Sequence, residues 1–303
     1  MTIARTIEEL RAALAEHRRA SRTIGLVPTM GFLHEGHLSL LRAARRRCDI
    51  VVMSLFVNPT QFGPGEDLES YPRDENHDIG LARAEKVDVV YAPAAENVFP
   101  EGFATTVEVG GGLTDVLDGD PGRRGPEHFR GVTTIVAKLF NSAMPDVAFF
   151  GQKDAQQAAV IRRMTRDLDF PVEIAIEPTV REPDGLALSS RNTYLSPEER
   201  ERALALSRAL RATADAVAGG ERDVDAALDA GRAELRAAGI EPEYLEARDA
   251  EDLSAVGSFN GRPVLVAVAA RVGKARLIDN LIIGEGPASD PGAPLNRDRG
   301  GLT

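Results

Sequence analysis

Gly25-Leu-Val-Pro-Thr-Met-Gly-Phe-Leu-His34-Glu-Gly-His37 leads directly into Leu38-Ser-Leu-Leu-Arg-Ala-Ala-Arg45, and the fold is read outward from this stretch. Thr23 to Val27 is a short apolar run of the kind a buried strand makes, with Pro28 closing it. Leu38, Leu40, Leu41 and Ala44 then recur at helical spacing. Between them stand Gly31 and Gly36, where the missing Cβ permits unusual dihedrals or the close approach of a ligand. A strand, a glycine-containing turn and a helix start together present free N–H groups at the positive end of a helix dipole, which suits phosphate. His34 and His37 stand three apart, so in the first helical turn they share one face. A plain structural reading makes one a cap and the other a packing residue; two imidazoles in this context favour a functional pair.

The rest of the composition limits the function classes. A chain of 303 residues has room for two domains, each with its own core. It is 43% hydrophobic and 27% charged, an ordinary soluble balance. A net charge of −11 argues against a nucleic-acid surface, because no excess of Lys and Arg is available to neutralise phosphates. Arg42, Arg45, Arg46 and Arg47 read as the solvated face of a helix. The single cysteine, Cys48, excludes an intramolecular disulfide and a Cys-based zinc cluster, and fits a reducing compartment. No apolar run approaches the roughly 18 residues of a membrane span. Thr6-Ile-Glu-Glu9 reads as a capping box opening an amphipathic helix rather than a signal-peptide core. A cytoplasmic protein is expected.

Helix and strand patterns alternate to about residue 178. Helices are expected near 6–19, 37–47, 74–85, 129–142 and 154–167, and strands at 23–27, 50–57, 87–91, 147–150 and 172–176, with Phe103 to Val109 as an edge strand. Such repetition implies a parallel sheet with right-handed crossovers. The fold class is therefore α/β: a Rossmann-like parallel-sheet domain over 1–178. A smaller α+β domain is expected over 179–284. In it, the capping box Ser196-Pro-Glu-Glu199 starts a helix to about 217, another spans 224–238, and strands run at 244–248, 264–271 and 276–283. Residues 285–303, rich in Gly, Pro and Asp, are expected to form a disordered tail.

Ligands on parallel sheets sit at the carboxyl ends of the strands, so the residues just after each strand matter most. After the first come Thr29, Met30, His34 and His37, and after the second Asn58-Pro-Thr-Gln61. Gly151-Gln-Lys153-Asp154 follows the strand at 147–150, with Asp154 placed to cap the next helix and Lys153 suited to phosphate. The segment Gly185 to Asn192 is a flexible loop of donors, including Ser189, Ser190 and Arg191.

Together these segments resemble the pantothenate synthetase family. The matching motifs are Pro-Thr-Met-Gly-Phe-Leu-His-Glu-Gly-His at 28–37, Phe-Val-Asn-Pro-Thr-Gln-Phe at 56–62 and Tyr-Pro-Arg at 71–73. They continue with His-Phe-Arg-Gly-Val at 128–132, Lys-Asp-Ala-Gln-Gln at 153–157 and Asp-Gly-Leu-Ala-Leu-Ser-Ser-Arg-Asn at 184–192. The resemblance covers about residues 20 to 285. His-x-Gly-His alone marks only a wider nucleotidyltransferase superfamily, in which Ser189-Ser190-Arg191 is similar to a mobile Lys-Met-Ser-Lys-Ser loop.

The resemblance implies ATP-dependent condensation of pantoate with β-alanine to pantothenate, AMP and pyrophosphate through a pantoyl adenylate. It implies catalytic roles for His34, His37, Lys153 and Arg191, with His37 the leading donor. ATP would be enclosed by Met30, Gly31, Phe32, Leu33, His34, Glu35, Gly36 and His37, by Gly151, Gln152, Lys153 and Asp154, and by Val180, Leu188, Ser189, Ser190 and Arg191. Pantoate and β-alanine would fall to Met30, Asn58, Gln61 and Gln157, and Asp78 would help hold Mg2+. A homodimer is also implied. One residue more than the family spacing precedes His128, which leaves open whether Arg123 or Arg124 reaches phosphate. The alternatives are a nucleotidyltransferase that stops at nucleotide transfer, which would not need Asn-Pro-Thr-Gln61 and Gln157 in this form, and a silent nucleotide-binding module, which fits poorly with an intact set of donors.

Overall fold

The computed structural model of the chain describes residues 1–64, 66 and 68–284, and the expected tail at 285–303 lies outside them. Among the described residues the first part of the chain forms β1 (Thr2–Ala4), α1 (Ile7–Arg19), β2 (Ile24–Thr29), α2 (Glu35–Arg47), β3 (Ile50–Leu55), α3 (Glu75–Ala84), β4 (Val89–Tyr91), the single turn α4 (Ala95–Val98), α5 (Pro126–Ala143), β5 (Val147–Gly151), α6 (Ala155–Asp167) and β6 (Glu173–Glu177). The second part forms α7 (Pro197–Ala218), α8 (Val224–Ala237), β7 (Pro242–Asp249), β8 (Val264–Val272) and β9 (Ala275–Ile283).

β1 to β6 make a parallel sheet in the order β1-β4-β3-β2-β5-β6. The chain winds from β2 to β3 and β4 on one side, then returns to place β5 and β6 on the other. The order therefore reverses between β2 and β5, which opens a crevice at their carboxyl ends. Successive side chains point to opposite faces, and helices cover both. Leu26, Val52 and Phe150 pack with Leu10 and Leu14 of α1, Phe140 of α5 and Val160 of α6. Val27, Met53 and Phe149 pack with Leu40 and Leu41 of α2 and Ala82 of α3.

The antiparallel sheet has the order β7-β8-β9. Such sheets commonly leave one face to water, yet β8 is apolar almost throughout. Val264, Val266, Val268 and Ala270 join a core with Leu206 and Leu210 of α7 and Leu228 of α8. Leu265, Ala267 and Ala269 join the core shared with α5 and α6. Both faces are buried, so the smaller sheet is packed against the larger unit.

Two expectations need correction. Pro28 lies inside β2, opposite Ser54 of β3, rather than closing the strand. It is tolerated because β5 pairs with β2 only at Gly25 and Leu26, so Pro28 stands beyond the doubly paired part. Phe103 to Val109 is not a strand: the Val107 N–H donates to Thr134 Oγ1 at 3.0 Å and its carbonyl accepts from Thr133 Oγ1 at 2.6 Å. Hydroxyls of α5 replace the missing strand neighbour. β1 and α4 are additions that such short segments do not announce by periodicity.

Candidate active site

The crevice between β2 and β5 widens into a cavity of about 270 Å³. Of the residues singled out in the sequence, Met30, His34, Gly36, His37, Asn58, Gln61, Gly151, Lys153, Asp154, Gln157, Val180, Leu188, Ser189, Ser190 and Arg191 line it. Segments separated by more than a hundred residues thus meet in one place.

The histidine turn is held by its own atoms. His34 is the N-cap of α2, with extended backbone, and its Nδ1 accepts from the Gly36 N–H at 3.2 Å. His37 Nδ1 accepts from the His34 N–H at 3.3 Å. With Nδ1 an acceptor in each ring, the proton of each neutral imidazole belongs on Nε2, on the far side of the ring from the backbone. The ring centroids are 4.2 Å apart. Burial and the Lys153 charge push His34 down to about 4, with Asp154 opposing. Burial, then His34 and Lys153, push His37 down to about 3. Both rings are neutral Nε2–H donors at ordinary pH. Capping and function are therefore one arrangement, in which the cap selects the tautomer. Gly36 is required by the ring above it: a Cβ there would stand 2.9 Å from His34 Cε1.

Gly31, Phe32, Leu33, Glu35 and Gln152 do not reach the cavity wall. Gly31 and Phe32 both take positive φ as the chain turns. Leu33 packs into the core beneath α2, Glu35 turns outward to pair with Arg42, and Gln152 Nε2 donates to Asn280 Oδ1 at 3.1 Å. Asp78 is also corrected. It is 1% exposed, and its two oxygens accept from the Phe32 and Leu33 N–H groups at 2.8 and 2.7 Å. It braces the turn from below. Among the described residues no cluster of three or more His, Cys, Asp or Glu side chains is arranged to hold a metal.

Lys153 leaves β5 through a 3₁₀ turn (Gln152–Asp154), and among the described residues no carboxylate pairs with its ammonium. Asp154 occupies the N-cap of α6 but makes no side-chain capping bond, so its carboxylate faces the cavity uncommitted. Gln61 is oriented from two sides: its Nε2 donates to Met30 Sδ at 3.2 Å and its Oε1 accepts from Asn58 Nδ2 at 3.0 Å. Asn58 Nδ2 also donates to the Gly131 carbonyl at 3.1 Å, while Oδ1 accepts from the Thr60 N–H and hydroxyl. Asn58 is fully engaged, and positions Gln61 instead of offering groups of its own.

The hairpin carrying Val180 and Leu188 is braced rather than loose. Leu188 N–H donates to the Val180 carbonyl at 3.0 Å, and Arg181 forms a two-pronged ion pair with Asp279 at 2.6 and 2.9 Å. Ser189 Oγ accepts from the Arg191 N–H at 3.3 Å, and a 3₁₀ helix follows over Ser190–Tyr194. Thr179 Oγ1, at the cavity edge, is buried without a partner, which leaves it for a ligand.

The two arginines are separated by the fold. Arg123 stacks over Tyr244 at 4.6 Å and bonds to the Leu117 and Glu243 carbonyls, behind the wall that Tyr244 and Leu117 form, and does not itself line the cavity. Arg124 lines the cavity, paired with Glu66 at 2.8 and 2.9 Å. His128 joins Arg124 to the Gln61 carbonyl: its Nε2 accepts from Arg124 at 3.1 Å and its Nδ1–H donates at 2.7 Å. Burial and Arg124 push this imidazole down to about 4. His128, Gln156 and Asn280 received no role from sequence reasoning. Asp279-Asn280 interrupting the apolar run of β9 was the available signal for the last.

A family model described as Pantoate-beta-alanine ligase matches residues 2–282. The chain is 53% identical over 284 residues to a pantothenate synthetase of Moorella thermoacetica, covering 93% of this chain and 99% of that protein. It is 50% identical over 288 residues to pantothenate synthetase 1 of Bradyrhizobium diazoefficiens, with 95% and 100% covered. The crystal structure of pantothenate synthetase from Thermus thermophilus is similar with a TM-score of 0.86 at 49% identity, covering 93% of this chain and 99% of that one. Pantoate-beta-alanine ligase from Francisella tularensis, complexed with beta-gamma ATP and β-alanine, gives 0.76 at 32% identity, with 95% and 100% covered.

Proposed function

The chain belongs to the pantoate-beta-alanine ligase family, and on that premise we propose how its residues divide the work of forming pantothenate from pantoate, β-alanine and ATP. In the first step a pantoate carboxylate oxygen bonds to the α-phosphorus of ATP. The bond from that phosphorus to the bridging oxygen breaks, and pyrophosphate departs with the electron pair. A carboxylate is already a nucleophile at neutral pH, so the site supplies in-line positioning and donors for the growing charge. His37 and His34 supply Nε2–H donors whose tautomer is preset. Lys153 and Arg191, with Ser189 and Ser190, receive the phosphates. In the second step the neutral β-alanine amine bonds to the acyl carbon, the bond from that carbon to the phosphate oxygen breaks with the electron pair leaving on AMP, and the proton of the nitrogen passes to solvent.

Met30, Gln61 and Gln157 hold pantoate, with the Gln61 amide beside the β-alanine position and Asn58 behind it. Gly36, Gly151, Asp154, Val180 and Leu188 wall the nucleotide. In this reading residues 1–178 form the substrate-binding unit and 179–284 the lid that carries Ser189 to Arg191. The side chains present do not fit a resident metal, since Asp78 is engaged with the backbone; Mg2+ is read as arriving on the triphosphate. A homodimer and a cytoplasmic setting belong to the same proposal. No helix among the described residues is long and apolar enough to cross a membrane.

The observation that supports this reading most is the meeting of His34, His37, Lys153 and Ser189 to Arg191 around a cavity that also holds Gln61 and Gln157. A nucleotidyltransferase that stops at nucleotide transfer has no use for that amide pair. The test supplies ATP, Mg2+ and pantoate, with or without β-alanine. AMP should form in multiple turnovers only with β-alanine, and labelled pyrophosphate should exchange into ATP without it. AMP release indifferent to β-alanine would remove the ligase route.

A further inference from the structure

Strand β9 carries three polar side chains within five residues, Arg276, Asp279 and Asn280, and each holds a different wall of the cavity. Arg276 forks onto Asp118 at 2.8 and 3.2 Å. The Asp118 carbonyl in turn accepts from the N–H groups of Arg124 and Gly125 at 3.1 and 3.2 Å. Asp279 grips Arg181 at the base of the hairpin with Val180 and Leu188. Asn280 makes the most pointed contact. Its Nδ2 donates to the Gln152 and Lys153 carbonyls at 3.0 and 2.8 Å, and its Oδ1 accepts from Gln152 Nε2.

Asp279 and Asn280 are only 3% and 5% exposed. Burying polar groups is costly unless every one is paired, and apolar side chains would fill the same space. Their pairing defines a position as well as a packing contact. The turn that carries Lys153 is too short to brace itself, and it is gripped from outside by a side chain of the other sheet.

We propose that Asn280 is a positioning residue for adenylate formation: it sets the backbone of the 152–153 turn, and so the place where the Lys153 ammonium meets the phosphates. This rests on the adenylate route proposed above. It separates the two half-reactions, because β-alanine attack takes place on the pantoate side of the cavity.

The test uses the full chain with Asn280→Ala, and with Asn280→Ser as a variant that keeps a shorter donor should the first fail to fold. Pantoate-dependent pyrophosphate exchange should fall about tenfold to a hundredfold in Asn280→Ala, in line with the loss from a small misplacement of a reacting group, and less in Asn280→Ser. Pantothenate formation from supplied pantoyl adenylate should stay near wild type. Equal loss in both half-reactions, or none in exchange, would overturn the proposal. Absence of exchange in the wild-type protein would instead overturn the adenylate route itself.

Discussion

Two turns deliver donors to the same cavity and are built in opposite ways. At the start of α2 the turn after β2 is closed by bonds between residues two and three apart, His34 with Gly36 and His37 with His34, with Asp78 of α3 bracing only the Phe32 and Leu33 N–H groups before it. The turn after β5 is held by Asn280, 127 and 128 residues further along the chain. The first carries its geometry in a short motif; the second takes its geometry from the docking of the smaller sheet. Movement of that sheet should therefore shift Lys153 while leaving the histidines in place.

Acid should expose the difference most strongly. His34, His37 and His128 have folded values pushed to about 4, 3 and 4, below the ordinary histidine value. Below pH 6.5 the unfolded chain takes up protons that the folded chain does not, so stability is lost as pH falls from about 6.5 towards 4. At pH 5 each histidine should cost about 2 kcal/mol. Denaturant melts between pH 7 and 5 check this, and replacing His128 with Gln should flatten the dependence. An unchanged midpoint across that range would contradict the neutral assignment.

His37→Ala removes one donor, and with it the acceptor of the His34 N–H, while sparing the β9 contacts. Its kcat should fall about 10²–10³-fold, the usual loss for a preorganised donor, in a steady-state assay of pantothenate formation. An unchanged kcat in the folded variant would demote His37 to a structural part of the turn.

Gly36→Ala presses a methyl group against the His34 ring. It should destabilise by about 1–3 kcal/mol, as overpacking does, and lower kcat through the displaced imidazole. Retained Tm and kcat would mean that the ring moves aside freely. Smallest of all should be Glu35→Ala, which removes only an outward partner of Arg42. Surface pairs contribute little, so Tm and the KM for ATP should stay near wild type. A raised KM would return Glu35 to the nucleotide wall.

Most elements that carry hydrophobic periodicity were legible in the chain, and so were the residues at strand ends. Leu38, Leu40, Leu41 and Ala44 announced α2, and the run at 50–55 announced a strand covered on both faces. Asp78 entered only as a residue that the resemblance implied for Mg2+, and its bracing of the turn was not legible. Its two backbone partners lie 45 and 46 residues away and leave no local trace. Phe103 to Val109 has strand-like composition, but whether a neighbour stands beside it is not a property of the segment. Arg123 and Arg124 are adjacent and chemically identical, and only the course of the loop puts Arg124 in the cavity wall and Arg123 behind it, against Tyr244.

By itself the sequence determined the parallel α/β order, the mutual capping of His34 and His37 and the set of polar residues at the strand ends, because those follow from periodicity and from bonds a few residues long. Tertiary structure alone decided which strand ends face each other, which arginine enters, and how Lys153 is held. Those outcomes depend on groups brought together across more than a hundred residues, and each of them on its own reads as an ordinary polar side chain.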